Sequence, residues 1–434
     1  MTTKSHNRQS PNRSISSSGW SWIPTLYFAQ GLPYVVVMTL AVIMFKRLGI
    51  NNTDIALYTS WLYLPWVIKP LWSPLVDIAK TKRWWVISMQ LLIGGGLAGV
   101  ALTLPGPHAF RYALAFMWLL AFSSATHDIA ADGFYMLGLD TKKQAFFVGI
   151  RNTAYRIAML TGQGLIVMFA GWLEKTYSTR LPEEIAVPRA WSITFYLLAA
   201  LFVLLFLYHQ LMLPKPASDV PVKNDNPLKA FFETFITFFQ KEGIIAALAF
   251  ILLFRFAESQ LVKIASPFLL DHPEVGGLGL DTIQVGTIYG VVGLIALTVG
   301  GILGGIVMAK QGLKHWIWGM TIAMNLPNLV YVYLAFARPS AMWLISSCVA
   351  VEQFGYGFGF TALTYFMMLF SKGQQQTAHY AICTGFMALG MMLPGMISGY
   401  IQEQIGYQHF FLWIMLCTIP SFIAVKYIKI PALK

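Results

Sequence analysis

The chain is short of charge and of cysteine. Only 11% of its 434 residues are Asp, Glu, Lys or Arg, while 57% are hydrophobic and the mean hydropathy is +0.61. That is more apolar side chain than a soluble domain of this size buries, so a bilayer is the implied solvent. Cys348, Cys383 and Cys417 are odd in number, lie in late apolar stretches and form no C-x-x-C or His-spaced set. Neither a disulfide framework nor a metal site is expected, and no cofactor is implied. There is no H-E-x-x-H, no G-x-S-x-G and no Cys-His pairing, and His127-Asp128 alone is too thin a set for an embedded enzyme. Residues 1–18 lack an apolar h-region, so they read as a polar, disordered tail rather than a signal peptide.

What the chain does have is a succession of apolar windows. A helix of about 20 residues crosses the hydrocarbon core, and twelve such windows lie near 21–45, 54–78, 84–104, 112–138, 145–172, 191–213, 243–266, 284–309, 315–337, 342–370, 376–402 and 408–428. The alternate connections divide the 30 Lys and Arg unevenly, eighteen on the side of the N-terminus and seven on the other. The basic side is expected to be cytoplasmic, which places both termini there. Anchoring and anionic headgroups account for the net charge of +12 without a nucleic-acid partner.

Residues 214–242 turn polar and then set Phe231, Phe232, Phe235, Phe238 and Phe239 on one helical stripe. This predicts a cytoplasmic linker with an amphipathic helix, lying on the inner membrane surface or docked on the helices. It separates a six-helix bundle at 19–213 from a second at 243–434. Ser73-x-x-x-Asp77 followed by Lys82 and Arg83 in the first half corresponds to Gly305-x-x-x-Ala309-Lys310 and Lys314 in the second, offset by about 232 residues. Two similar halves of six helices joined by a linker is the parallel-repeat layout of the major facilitator superfamily. The loop resembles that superfamily's gating signature, kept incompletely in each copy, and so makes Asp77, Lys82, Arg83, Lys310 and Lys314 gating candidates.

Charge inside the spans is costly and is read as functional. In "LPWVIKPLWSPLVD" Lys69, Ser73 and Asp77 fall within an arc of about 80° at 100° per residue, so Lys69 is expected to face a cavity, with Pro65, Pro70 and Pro74 bending the helix around it. Snorkelling of Lys69 to the headgroups is the alternative. In "SSATHDIAADGFYM" Asp128 and Asp132 share a face beside His127, and in "GIRNTAYRIAMLTGQG" Asn152 and Arg156 share one. The seventh window adds Arg255, Glu258 and Lys263 and the tenth adds Glu352, followed by a GYGFGF whose glycines suit close packing. Five intramembrane cations against four acids favour an anionic solute. Proton coupling is assigned to Asp128, Asp132, His127, Glu258 and Glu352, with Arg156 as the switchable partner of Asp128 and Asp132. Solute contact is assigned to Lys69, Asn152, Arg156, Arg255 and Lys263, with Tyr27, Gln30 and Trp61 for stacking and hydrogen bonds. A structural salt bridge between the fourth and fifth helices competes with the coupling role.

These segments carry a resemblance. "HDIAADGF", "LYFAQGLPYVV", "PWVIKPLWSPLVD", "GIRNTAYRIAMLTGQGL", "ASPFLLD" and "GFGFTALTYFMML" resemble the AmpG-like muropeptide permeases and the related acetyl-coenzyme A transporters, over nearly the whole chain. The resemblance implies an all-α membrane protein of twelve transmembrane helices in two bundles, a monomer, and a proton-driven importer of anhydromuropeptides in the bacterial inner membrane. It places Lys69, Asp128, Asp132 and Arg156 at family-motif positions. His127 stands where the family usually has glutamine. Import of another anion, such as a coenzyme A ester, a peptide or a siderophore, and a transport-inactive sensor on the same fold are the competing readings.

Overall fold

The computed structural model describes residues 19–430 except 140, 222–226 and 374, and only the backbone of 77, 141, 142, 145, 148 and 227–231. The tail at 1–18 and the side chains of Asp77 and Phe231 lie outside the described residues. Besides the linker helix Pro227–Phe239, the described residues form twelve long helical runs: α1 (Gly19–Arg47), α2 (52–79), α3 (Lys82–Thr103), α4 (Ala109–Gly138), α5 (141–178), α6 (Glu183–Met212), α7 (Ile244–Leu270), α8 (Thr282–Gln311), α9 (Leu313–Ala337), α10 (Met342–Phe370), α11 (376–405) and α12 (407–427). Gly406, at φ 75° and ψ 167°, separates the last two. Counting Gln376–Tyr427 once, nine described stretches are long and apolar enough to cross a membrane. The two runs outside that set, α2 and α10, carry Lys69 and Glu352.

Several helices start earlier than hydropathy suggests. The run α6 begins at Glu183, eight residues before its apolar window, because Glu183 and Glu184 suit the positive end of a helix; the helix runs through Pro188 at the loss of one backbone hydrogen bond. The helix continues beyond the apolar segment.

In the first half α3 packs on α4 and α6, and α1 on α5; in the second α8 packs on α10, α10 on α9, and α7 on α11. The halves meet where α2 touches α11 and α5 touches α8. At the α5/α8 crossing both helices loosen to π geometry, over Thr161–Ile166 and Gly286–Gly293. A Cβ on Gly290 would lie 2.1 Å from the Cα of Gly164, so only glycine admits this approach. Gly290→Ala is expected to lower the thermal midpoint in detergent, an overpacking cost of about 1–3 kcal/mol. Gly305→Ala, with nothing within 4 Å of its Cβ, should leave the midpoint unchanged. The GYGFGF glycines are close-packing positions: a Cβ on Gly355 would meet the Ala323 carbonyl at 2.0 Å and one on Gly357 the Leu297 carbonyl at 2.0 Å.

The prolines of α2 act differently from the expectation. The break falls at Leu62–Tyr63, before Pro65, which sits in the first turn of Leu64–Ala79, and that helix runs through Pro70 and Pro74. A second break divides α7 at Phe254–Arg255. The Ser421 hydroxyl of α12 donates to the carbonyls of Leu253 and Phe254 at 3.1 and 3.0 Å, which satisfies backbone that a lipid environment would leave bare.

Both described chain ends lie at one end of the bundle pair: Tyr208 donates to the Ser21 carbonyl, and Lys429 pairs with Glu242 at 3.5 Å. The linker helix Pro227–Phe239 docks there. Its Phe238 is buried against Phe370, Phe386 and His379, while Phe232 and Phe239 are exposed. The aromatic stripe is therefore divided between docking and exposure.

Candidate functional site

Between the halves lies a cavity of about 650 Å³ that reaches Lys82, Leu137 and Thr377 at the terminus-bearing end. Trp66, Lys69 and Ser73 of α2 form one wall, Asp132 of α4 another, and Tyr380 and Thr384 of α11 the facing one, with Arg255 of α7 also in the lining. Lys69 and Ser73 thus face this space rather than the headgroups, as the 80° stripe requires. Snorkelling does not describe Lys69 here.

Lys69 Nζ stands 3.6 Å from Asp128 Oδ2, which also accepts from Trp66 Nε1 at 3.1 Å. Asp132 Oδ1 accepts from the Tyr27 hydroxyl at 3.1 Å and lies 3.4 Å from Arg151 Nη2, whose guanidinium covers the Tyr27 ring at 4.5 Å. The acids that share a face of α4 therefore have separate cations, one from α2 and one from α5. The lysine–aspartate pair is the more enclosed, with side-chain exposures of 25% and 13%.

Other candidates are placed elsewhere. Arg156 donates to Thr298 of α8 at 2.9 Å, across the junction of the halves, and Arg151 holds the position facing Asp132 that the sequence reading gave to Arg156. His127 is buried away from the acids: its Nε2 is 3.0 Å from Gln90 Nε2, Gln90 Oε1 is 2.9 Å from His209 Nδ1, and His209 Nε2 is 2.9 Å from Thr25 Oγ1. This chain ties α4, α3, α6 and α1 together. Asn152 and Trp61 are exposed and do not line the cavity. Gln30 is buried with its Oε1 unpartnered among the described residues.

In the second half Arg255 donates to the Tyr356 hydroxyl at 2.7 Å and lies 5.0 Å from the Phe360 ring centre. Glu258 and Glu352 are buried nearby. Lys263 is 1% exposed; its Nζ donates to Thr59 of α2 at 2.9 Å and sits 5.1 Å from the Tyr63 ring centre.

Among the gating candidates, the backbone N–H groups of Lys82 and Arg83 donate to Asp219 at 2.7 and 2.9 Å, and the Arg83 side chain donates to the carbonyls of Gln210 and Leu213. Arg83 is thereby held within the first half and its linker. Lys310 and Lys314 are exposed. Besides the Arg156–Thr298 and Lys263–Thr59 hydrogen bonds, a cluster of ties between the halves lies at the opposite end. Lys46 pairs with Asp271 at 2.7 Å, Asp271 accepts from Tyr407 at 2.5 Å, and Asn52 donates to Gln402 at 2.6 Å. Glu174 accepts from Arg47 at 3.1 Å and from Thr282 at 2.7 Å, and Thr53 donates to Glu403 at 2.5 Å. Sequence reasoning treated Lys46 and Arg47 as topology charges only. The one available signal was that Glu174 and Asp271 sit where apolar spans end. Arg151 was counted among the intramembrane cations without a site role, and Trp66 and the Thr377, Tyr380 and Thr384 face of α11 were missed, although that i, i+3, i+7 spacing was legible.

Asp271→Asn removes the negative charge that pairs with Lys46 and replaces one of its two acceptor oxygens by a donor, which loosens this end. Dipolar spectroscopy between spin labels at exposed positions 51 and 404 should then show a longer-distance population that the parent protein lacks.

Comparison with known proteins agrees with this architecture. The chain is 25% identical to a protein named putative transporter AmpG 4 of Rickettsia felis over 420 residues, covering 93% of this chain and 95% of that one. It is also 25% identical to the anhydromuropeptide permease of Escherichia coli K12 over 411 residues, covering 92% and 77%. Among solved structures it superimposes on the nucleoside transporter NupG with a TM-score of 0.68 at 15% identity, covering 94% and 98%, and on a D-xylose-proton symporter at 0.69 and 14%, covering 95% and 98%. A family model described as the Major Facilitator Superfamily matches residues 25–393. With the helical runs and the cavity between two six-helix halves, that match makes the chain a member of the Major Facilitator Superfamily.

Proposed function

We propose that this transporter imports an anionic solute, anhydromuropeptides being the first candidates, by symport with protons across a bacterial cytoplasmic membrane. Both termini and the linker at 214–242 then lie in the cytoplasm, as the excess of Lys and Arg on that side supports. The cavity would be the inward-facing binding site, and the cluster around Lys46, Arg47, Glu174 and Asp271 the closed outer gate. The monomer and its bilayer suffice for this cycle. The relatives named for muropeptide transport support the solute class.

The observation that carries the reading is Lys69, a cavity-lining ammonium 3.6 Å from Asp128. A solute carboxylate entering beside Lys69 competes with Asp128 for the same cation. An aspartate left without its cation in a poorly hydrated wall gains more from taking up a proton than from staying ionised. Binding of the anion and protonation of the acid are then linked, and linkage of this kind is what a symport cycle needs. Asp132 with Arg151 forms a parallel pair nearer the cavity mouth, in the role first assigned to Arg156. Arg255 adds positive charge to the wall, and Tyr380 with Thr384 offers hydroxyls to a sugar.

The test is a survey by thermal stabilisation of the purified protein with anhydromuropeptides, peptides, siderophores and coenzyme A esters. A ligand present at 100 times its Kd stabilises by about 2.7 kcal/mol. An anhydromuropeptide is expected to raise the midpoint in the parent protein and not in Lys69→Ala. A shift with a coenzyme A ester and none with any muropeptide would overturn the solute assignment.

A further inference from the structure

The geometry points to a proton-binding site in the second half, formed by Glu258 of α7 and Glu352 of α10 and linked to the cavity through Arg255. It deepens the symport reading above and rests on it. Glu258 is 4% and Glu352 2% exposed; Glu258 lies one turn beyond Arg255 on α7 and Glu352 one turn before Tyr356 on α10, so the Arg255–Tyr356 hydrogen bond sets the two acids at the same level of the facing helices. Glu352 Oε2 accepts from Gln353 Nε2 at 2.9 Å, and the buried Tyr331 of α9 is hydrogen-bonded to Tyr289 of α8. Glu258 Oε2 is buried with no hydrogen-bond partner among the described residues. Among the described residues, the titratable and charged groups that act on the pair are Tyr289, Tyr331, Tyr356 and one cation, Arg255.

That cation is shared with the solute site. Arg255 lines the cavity, makes its short hydrogen bond to Tyr356, and lies one helical turn before Glu258 at the break of α7. One cation offsets one of two buried carboxylates. The other is left with a desolvated negative charge beside a like charge, and a proton held between the two acids removes it. The unpartnered Glu258 oxygen is a place for that proton. When a solute anion occupies Arg255 from the cavity side, the cation's field on the pair is partly cancelled and the pair's hold on the proton strengthens. The Asp128 and Asp132 pairs differ in that each acid has its own cation.

Infrared spectroscopy of the purified protein at neutral pH tests this without solute or transport. The parent protein should show a protonated carboxyl stretch that moves when glutamate is carbon-13 labelled and stays when aspartate is labelled. The band should be lost in Glu258→Gln/Glu352→Gln and grow about twofold in Arg255→Met, as both acids become protonated. Absence of the band in the parent protein, movement with labelled aspartate instead, or an unchanged intensity in Arg255→Met would overturn the inference. The labelling arm needs no variant to fold. A protein that transports nothing can still show the band, and a working symporter without it refutes the glutamate site alone.

Discussion

Lys69→Ala is expected to cut solute uptake at limiting concentration by about a hundredfold while the protein still purifies as a folded species. Two effects add. The solute's acidic group loses the ammonium that faces it in the cavity, and Asp128 loses its ion-pair partner, 3.6 Å away. Removing one member of a well-buried ion pair costs about 3–5 kcal/mol. Partial solvent access at this wall reduces that figure, and about 2.7 kcal/mol corresponds to the hundredfold loss. Lys69→Arg should also be harmful, because a planar guanidinium does not replace a compact ammonium between Trp66 and Asp128. The check is initial-rate uptake in vesicles, with protein quantity and size-exclusion profile as controls. Unchanged uptake in Lys69→Ala would leave the cavity without its assigned anion contact.

The second large effect concerns coupling. Asp128→Asn keeps the hydrogen bond from Trp66 available but cannot exchange a proton. It is expected to abolish accumulation of solute under a pH gradient and to preserve exchange of solute between the two sides, since exchange needs binding and reorientation but no net proton movement. Asp132→Asn should act in the same direction and more weakly, because the Asp132 side chain is 40% exposed and Tyr27 and Arg151 can adjust around it. If both variants accumulate solute at the normal ratio, the acids of α4 are structural partners of Lys69 and Arg151, and the buried glutamates of α7 and α10 carry the coupling alone.

The twelve helical runs were legible because apolar windows of membrane length need only composition. Their ends were less so: α6 starts in the polar stretch at Glu183, where helix propensity and terminal charge decide and hydropathy says nothing. The direction of Lys69 was readable, since Ser73 repeats it one turn later on the same helix. The partner of Asp132 was not. Arg151 and Arg156 lie on the same helix, and which of them meets the acid depends on the rotation of α5 against α4, a property of packing. His127 shows a related limit: adjacent helical residues point about 100° apart, so its place beside Asp128 in sequence turns it toward Gln90 and away from the cavity. The ties at the far end join residues as distant as Asn52 and Gln402. Nothing local marks such a pair.

The central claim is that a proton gradient drives an anionic cell-wall fragment through this cavity. It is tested most directly by reconstituting the purified protein in liposomes of defined internal pH and following a radiolabelled anhydromuropeptide after the outside is acidified. The account expects accumulation above the external concentration, collapse of that accumulation when a protonophore is added, and no accumulation with Asp128→Asn. Solute that merely equilibrates, with or without the imposed gradient, would contradict it.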